Sequence, residues 1–416
     1  LKINNGPERS STGNVAMQSM SRRTWLKPAA AALAGAVLLA GGAARAEDGV
    51  TKDTIRIGMF GPITGAYSAH RVVYDGAQAV YRQVNQQGGI FGRKIEVAFE
   101  DDGCDISKAR AAVKRLISRS NVFLLHGGVC SAPTFAVRSE VIDNQVPLMV
   151  LASTMDKISA PVSKYVFTTT MTGSLSGRTI GNFIRTIPGV HKVAIVKHPD
   201  EWSEIQVVAL QKVLAEAGLL VAATVEEERN ASDATTQVLG IKNAEPDATV
   251  VMLYPAEMAV FLRDARKYGL KGPFVTPVVG MDMHEIEERA GSREAVANVY
   301  TGSFLAGAPG DPKVQPFVDL FKAFYPDQSV QALDFYGMSG AYAIVEALRR
   351  AGPDLTRDKF IAALESLKDF DAGPSACKVT LTASTHQGCN QGTIWTLVGG
   401  QIVNIGAEFK PVKAGL

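Results

Sequence analysis

The sequence predicts an α/β protein of two successive doubly wound lobes, carried behind an N-terminal export leader. Three observations predict it. The chain has 416 residues, 46% apolar and 20% charged, which is enough for two to three packed units at about 100–200 residues each. Short β-branched runs alternate with helical periodicities, the rhythm of parallel strands joined by crossover helices. That rhythm runs from Thr54 to Leu151 and restarts at Lys192.

The leader comes first. Ser21-Arg22-Arg23-Thr24-Trp25-Leu26-Lys27 is basic, Pro28 to Ala44 is apolar and rich in Ala, Gly and Leu, and Ala44-Arg45-Ala46 has the small-x-small form of a cleavage site. The apolar run is shorter than the roughly 20 residues of a membrane-spanning helix. The Ser-Arg-Arg-x-x-Leu-Lys run is of the twin-arginine type, with Trp25 where Phe is usual. Residues 1–46 are read as leader and signal peptide, and the remainder as exported to a bacterial periplasm. Residues 1–46 hold six basic groups and one acid, so of 43 basic and 41 acidic residues 37 and 40 remain, a net of −3. That balance gives no electrostatic case for nucleic acid as a partner.

The elements follow in order. Thr54–Phe60 is a β-branched strand, His70–Gln86 a helix, Lys94–Glu100 a strand and Ser107–Ser120 a helix. Val122–Leu125 is a strand, Ala132–Asn144 a helix and Pro147–Leu151 a strand. The second set has strands at Lys192–Lys197, Leu219–Val225, Thr249–Leu253 and Phe274–Pro277, with helices at Ile205–Ala217, Thr235–Asn243 and Glu257–Tyr268. Three further helices span Val314–Phe324, Ala332–Arg350 and Asp358–Leu367, and Thr393–Val398 with Gln401–Ile405 forms a hairpin around Gly399-Gly400. No low-complexity linker separates the lobes, so several short crossings are expected. Glu226-Glu227-Glu228 reads as a solvated acidic edge, and Asn85–Arg93 as a turn whose glycines set the backbone.

Cys104, Cys130, Cys377 and Cys389 all follow the leader. An even count in an oxidising compartment predicts two disulfides, and sequence neighbours are the natural pairs. A zinc site is the competing reading. The lack of any CxxC, with only His386 near the last two cysteines, weighs against it.

Enzyme signatures are missing from the sequence. It contains no GxxxxGK[ST], no GxGxxG after a strand, no GxSxG, and Glu288 stands where HExxH needs its second histidine. No catalytic residue, metal ligand or cofactor is assigned. Small and hydroxyl-bearing residues instead gather at the ends of three first-lobe strands: Gly61–Gly65, Gly127–Ser131 and Ala152-Ser153-Thr154. Open α/β sheets bind ligands beyond the carboxyl ends of their strands. A serine there can serve an anion or simply cap a helix, and the convergence of three ends favours a ligand.

Gly61-Pro62-x-Thr64-Gly65, Asn85-x-x-Gly88-Gly89-Ile90-x-Gly92-Arg93, Asp101-Asp102-x-Cys104-Asp105 and Cys130-Ser131 fall in an order and spacing that resembles the leucine/isoleucine/valine-binding type of periplasmic solute-binding protein. The resemblance covers roughly Thr54 to Ile405. It implies a type I periplasmic binding protein fold, two α/β lobes joined by three crossover strands, with 47–170 plus 303–375 as lobe one and 171–302 plus 376–416 as lobe two. It implies a small carboxylate-bearing ligand, an amino acid or an aromatic or aliphatic acid, held in the cleft by hinge closure. It also implies an ABC importer permease as partner, a monomeric state, no catalysis and a disulfide between Cys104 and Cys130. A periplasmic sensory receptor of the same fold is the alternative.

The resemblance also implies ligand contacts. Ser131 takes the carboxylate, and Ala152-Ser153-Thr154 supplies a carbonyl and hydroxyls. Trp202 and Tyr254 are the second-lobe aromatics, and His70 with Tyr67 falls where a first-lobe Tyr lines the pocket. Amino-acid binders set an acid against the ligand ammonium, and the matching position here is most nearly Val278. An unpaired ammonium in a closed cleft costs several kcal/mol. Either Asp282 or Glu257 supplies the charge, or the ligand has no ammonium.

Overall fold

The computed structural model describes residues 47–65, 67–277 and 281–407. The leader with its twin-arginine run lies outside these residues, as does Val278. Among the described residues no helix is long and apolar enough to cross a membrane.

The first sheet is parallel and has the order β2-β1-β3-β4-β5, built from β1 (Thr54–Gly61), β2 (Lys94–Asp101), β3 (Leu124–Gly127), β4 (Leu148–Val150) and β5 (Val166–Thr168). The order reverses between β1 and β3, which opens a crevice at their carboxyl ends. The intervening helices are α1 (Val72–Gln86), α2 (Ile106–Ser118), the short α3 (Ser131–Ala136), α4 (Arg138–Asp143) and α5 (Asp156–Ser159). In α1, Val73, Ala77, Val80, Tyr81 and Val84 recur at helical spacing and are buried. The helix expected over 132–144 is two pieces that meet at Val137. Before α1, Ser68–Arg71 forms a 3-10 turn. In the 85–93 turn, Gly89 has φ +83°, and a Cβ there would lie 2.0 Å from the Arg93 carbonyl oxygen.

The second sheet has the order β12-β11-β10-β9-β8-β6-β7, from β6 (Lys192–Lys197), β7 (Leu220–Glu226), β8 (Ala248–Met252), β9 (Phe274–Thr276), β10 (Val299–Ser303), β11 (Thr393–Val398) and β12 (Gln401–Gly406). The expected hairpin is present as β11 and β12, and β11 joins the sheet antiparallel to β10. Around this sheet lie α6 (Gly173–Ile184), α7 (Glu201–Glu216), α8 (Thr235–Asn243), α9 (Pro255–Lys267) and α10 (Met283–Ala290). Helices α11 (Gln315–Phe324), α12 (Ala332–Ala351) and α13 (Arg357–Glu365) return to the first lobe, where α12 packs along α1.

The elements α5, β5, α6, α10 and β10 are additions to the sequence reading. In α6 the glycines hide the helix, because glycine weakens helix propensity. They serve packing: a Cβ on Gly177 would lie 2.1 Å from the Gln206 carbonyl oxygen of α7.

The chain passes between the sheets three times: after β5, after β10 and before β11. Between the last two passages, residues 366–390 stay with the first lobe. The Thr168 N–H donates to the His386 carbonyl and the Gly388 N–H to the Thr168 carbonyl, at 2.9 and 2.8 Å. Cys377, Val379, Leu381 and Cys389 are buried in the first-lobe core. Each fully buried aliphatic side chain of this kind contributes about 1.5–3 kcal/mol.

Candidate ligand-binding cleft

The first-lobe wall is set by one carboxylate. Asp101, at the end of β2, accepts at Oδ1 from the N–H groups of Ile63 (2.8 Å), Thr64 (3.3 Å) and Gly103 (3.0 Å), and at Oδ2 from the Thr64 hydroxyl (2.5 Å). These bonds hold its carboxyl below the usual range against the opposing effect of burial. The Gly-Pro-x-Thr-Gly loop and the Asp-Asp-x-Cys loop are thereby fixed to each other. Asp102 accepts the Cys104 N–H at 2.8 Å, and burial pushes its carboxyl up to about 6. Cys104 is bridged to Cys130 with a Cα separation of 5.6 Å, which places Ser131 beside the β3 end. Cys377 is bridged to Cys389, Cα separation 5.5 Å. Both bridges pair sequence neighbours, so these thiols are not zinc ligands. His386 instead stacks on Phe167, centroids 3.8 Å apart.

Ser131, Ser153 and Thr154 are buried at the ends of β3 and β4. The Ser153 hydroxyl donates to that of Ser131 at 3.3 Å. The Thr154 carbonyl accepts the Gly173 N–H, whereas among the described residues its hydroxyl has no hydrogen-bond partner. A buried hydroxyl without a partner is costly and uncommon.

The second-lobe wall grows from the ends of β6, β7 and β8. After β6, His198 has its Nδ1 2.8 Å from the Glu227 carbonyl beyond β7, and its Nε2 accepts the Tyr254 N–H beyond β8 at 3.2 Å. Burial lowers the pKa of this imidazole. Asp200 caps α7 by accepting the Ser203 N–H at 3.0 Å, which aims Trp202 inward. The Trp202 and Tyr254 rings stack with centroids 4.5 Å apart and an interplanar angle of 22°. Both rings pack on the second-lobe core while lining the cleft.

Between the walls lies a cavity of about 170 Å³, close to the roughly 150 Å³ that holds a benzene-sized body. Tyr67, His70, Ser131, Ala152, Thr154, Trp202 and Tyr254 all line it. Of the other residues the sequence pointed to, Ser153 stands behind Ser131. Neither proposed substitute for the missing acid lines the cavity. Glu257 accepts the Asn230 N–H at 2.7 Å, and Asp282 accepts the Ala332 N–H at 2.8 Å.

Contacts across the seam are aromatic and cationic. His70 meets Tyr254 edge-on at 4.8 Å. The Arg229 guanidinium lies 4.4 Å from the Tyr67 centroid and 3.9 Å from that of Tyr254, within cation–π range. Burial first, and Arg229 second, push the His70 imidazole down to about 4.

Sequence reasoning missed Asp200, Glu201, Leu333 and Tyr336 on the cavity wall and Arg229 at its seam. Applying strand-end logic to the second lobe would have found Asp200. Leu333 and Tyr336 come from α12, distant in sequence and without a motif. Arg229 follows a run read as a solvated edge. That reading holds for the exposed Glu226 and Glu228 and is corrected for Glu227, which is buried, and desolvation with Asp233 and Glu257 nearby raises its carboxyl to about 7.

Residues 54–401 match the family described as periplasmic binding protein. The chain belongs to this family. This periplasmic binding protein is 28% identical over 308 residues to the leucine-, isoleucine-, valine-, threonine- and alanine-binding protein of Pseudomonas aeruginosa, across 72% of this chain and 79% of that one. In fold it is similar to a branched-chain amino acid transporter substrate-binding protein of Streptococcus pneumoniae in complex with isoleucine, with a TM-score of 0.72, 21% identity and coverage of 85% and 100%. It is also similar to an ABC transporter solute-binding protein of R. palustris in complex with benzoate, with a TM-score of 0.73, 20% identity and coverage of 87% and 100%. The family is one of substrate-binding proteins, and the relatives bind small ligands.

Proposed function

We propose that this periplasmic binding protein is the periplasmic solute-binding component of an ABC importer. It takes a small carboxylate with a compact apolar or aromatic body and delivers it to a membrane permease. One observation carries the ligand class: the unpartnered Thr154 hydroxyl, with Ser131 beside it, shares a small cavity with the stacked Trp202 and Tyr254. Hydroxyls donate to the carboxylate, and the stacked rings cover the body. Polar groups at one end and apolar wall at the other are the usual make-up of a small-molecule site.

The lobes close as two bodies about the three passages, 47–170 with 303–390 against 171–302 with 391–407. The later boundary follows the burial of Cys377 to Cys389 in the first core.

A thermal-shift panel tests the reading, because a ligand that binds only the native state raises the melting temperature. The panel holds branched-chain and polar amino acids, aromatic and aliphatic carboxylates, the matching amides and dicarboxylates. Stabilisation by carboxylates and not by their amides is the expected result. Stabilisation by amides alone, or by no member of the panel, would overturn it.

A further inference from the structure

We propose that Arg229 is a specificity-determining residue, which bars an ammonium from the second-lobe end of the cavity and so selects carboxylates that lack an α-amino group. The proposal rests on the carboxylate reading above and refines it.

The argument starts from where the charge sits. Arg229 follows β7 and lies over two rings, Tyr67 of the first lobe and Tyr254 of the second, both of which line the cavity. It therefore occupies the seam that forms when the lobes meet. Among the described residues no carboxylate forms an ion pair with it. A guanidinium held by aromatic faces keeps its positive field, whereas a paired one is largely cancelled.

Three of the nearby acids hold hydrogen bonds of their own, which leave their charge in place. Glu257 accepts the Asn230 N–H, and its other oxygen faces His198 Nε2 at 3.8 Å. Asp282 is bound to the start of α12. Asp200 lines the cavity, but its Oδ1 caps α7. Glu201 lines the rim and is exposed. An entering ammonium thus meets the Arg229 field opposed by the charges of Asp200 and Glu201 on the cavity wall and of Glu257 behind it. Arg229 outweighs each of Glu257 and Asp200 at His70 and at His198, and Asp200 outweighs it at Tyr254. An amine-free acid needs no such partner, and its apolar body fits the rings.

The test uses matched probes that differ only in the amine: leucine against 4-methylpentanoate, and phenylalanine against 3-phenylpropanoate, each titrated calorimetrically. The wild type is expected to prefer the amine-free member of each pair by at least tenfold. Arg229→Gln is expected to shrink that ratio at least tenfold, and Arg229→Lys to retain most of it. A purely structural arginine would weaken both members alike and leave the ratio unmoved, which would overturn the proposal. Ionic strength gives an independent readout on the unaltered protein. Selection by a partly exposed charge weakens as salt rises, whereas selection by shape does not, so a salt-independent ratio also counts against it. A wild type that prefers the amino acids, with the preference lost in Asp200→Asn, would show that Asp200 holds the ammonium and overturn the role of Arg229 while leaving the carboxylate site intact. Failure of both members of every pair to bind would remove the carboxylate reading and this proposal with it.

Discussion

His198 accepts the backbone N–H of Tyr254 at Nε2, 3.2 Å away, and its Nδ1 lies 2.8 Å from the Glu227 carbonyl. A carbonyl only accepts, so Nδ1 carries the proton and the imidazole is neutral. One side chain thus ties the ends of β6, β7 and β8 together and sets the ring of Tyr254 against Trp202.

His198→Ala would leave a buried N–H and a buried carbonyl without their partner. Each such group costs about 1–3 kcal/mol. The melting temperature is expected to fall by several degrees, and ligand affinity by more than tenfold as Tyr254 loses its position. Calorimetric melting and titration check both. An unchanged affinity in a destabilised variant would show that Tyr254 is held by its packing alone.

Asp282 connects a residue beyond β9 to the start of α12 through the Ala332 N–H. Burial raises its carboxyl from the ordinary 3.8 to about 7. Between those values the folded chain holds more protons at this site than the unfolded one, so this group's contribution to stability falls as pH rises from about 4 to about 7 and is flat above. Asp282→Asn keeps an acceptor oxygen and removes the titration. The variant is expected to melt above the wild type at pH 8, with the gap closing toward pH 4. Parallel melting curves across that window would refute it.

The two disulfides give a paired prediction. Loop closure predicts about 3 kcal/mol of stability from each bridge, with sequence separations of 26 and 12 residues. Cys104 and Cys130 line the cavity, and Cys377 and Cys389 do not. Replacing either pair by serine is expected to lower the melting temperature. Only loss of Cys104–Cys130 is expected to weaken ligand binding, because that bridge places Ser131. Equal affinity losses in the two double variants would break the link between bridge and site.

The strand ends of the first lobe were legible in the sequence because short motifs set them. The Asp101 clamp needs its carboxylate and its small-residue loops at fixed spacing, and both leave a signature. The second-lobe aromatics were legible through resemblance. Arg229 was not, since its role depends on Tyr67 and Tyr254, which meet it only in the folded chain. Glu227 misled for the same reason: a run of three acids looks solvated, yet the middle one turns inward beside the His198 loop. Helix α6 was hidden by glycines that local propensity counts against a helix and that packing on α7 requires.

Thr154 separates ligand binding from folding. Its hydroxyl is buried and unpartnered, while its carbonyl is engaged with the Gly173 N–H. Thr154→Val keeps the shape and removes only the hydroxyl. Without ligand, the variant loses a desolvated polar group that makes no bond, so its melting temperature is expected to equal or exceed that of the wild type. With ligand, it loses one hydrogen bond to a charged carboxylate, worth about 1.5–3 kcal/mol, which corresponds to roughly a tenfold or greater loss of affinity. Affinity is therefore expected to fall in this variant while stability without ligand does not. A fall in both would assign the Thr154 hydroxyl to the architecture of the first lobe, whereas an unchanged affinity would place the ligand carboxylate away from it.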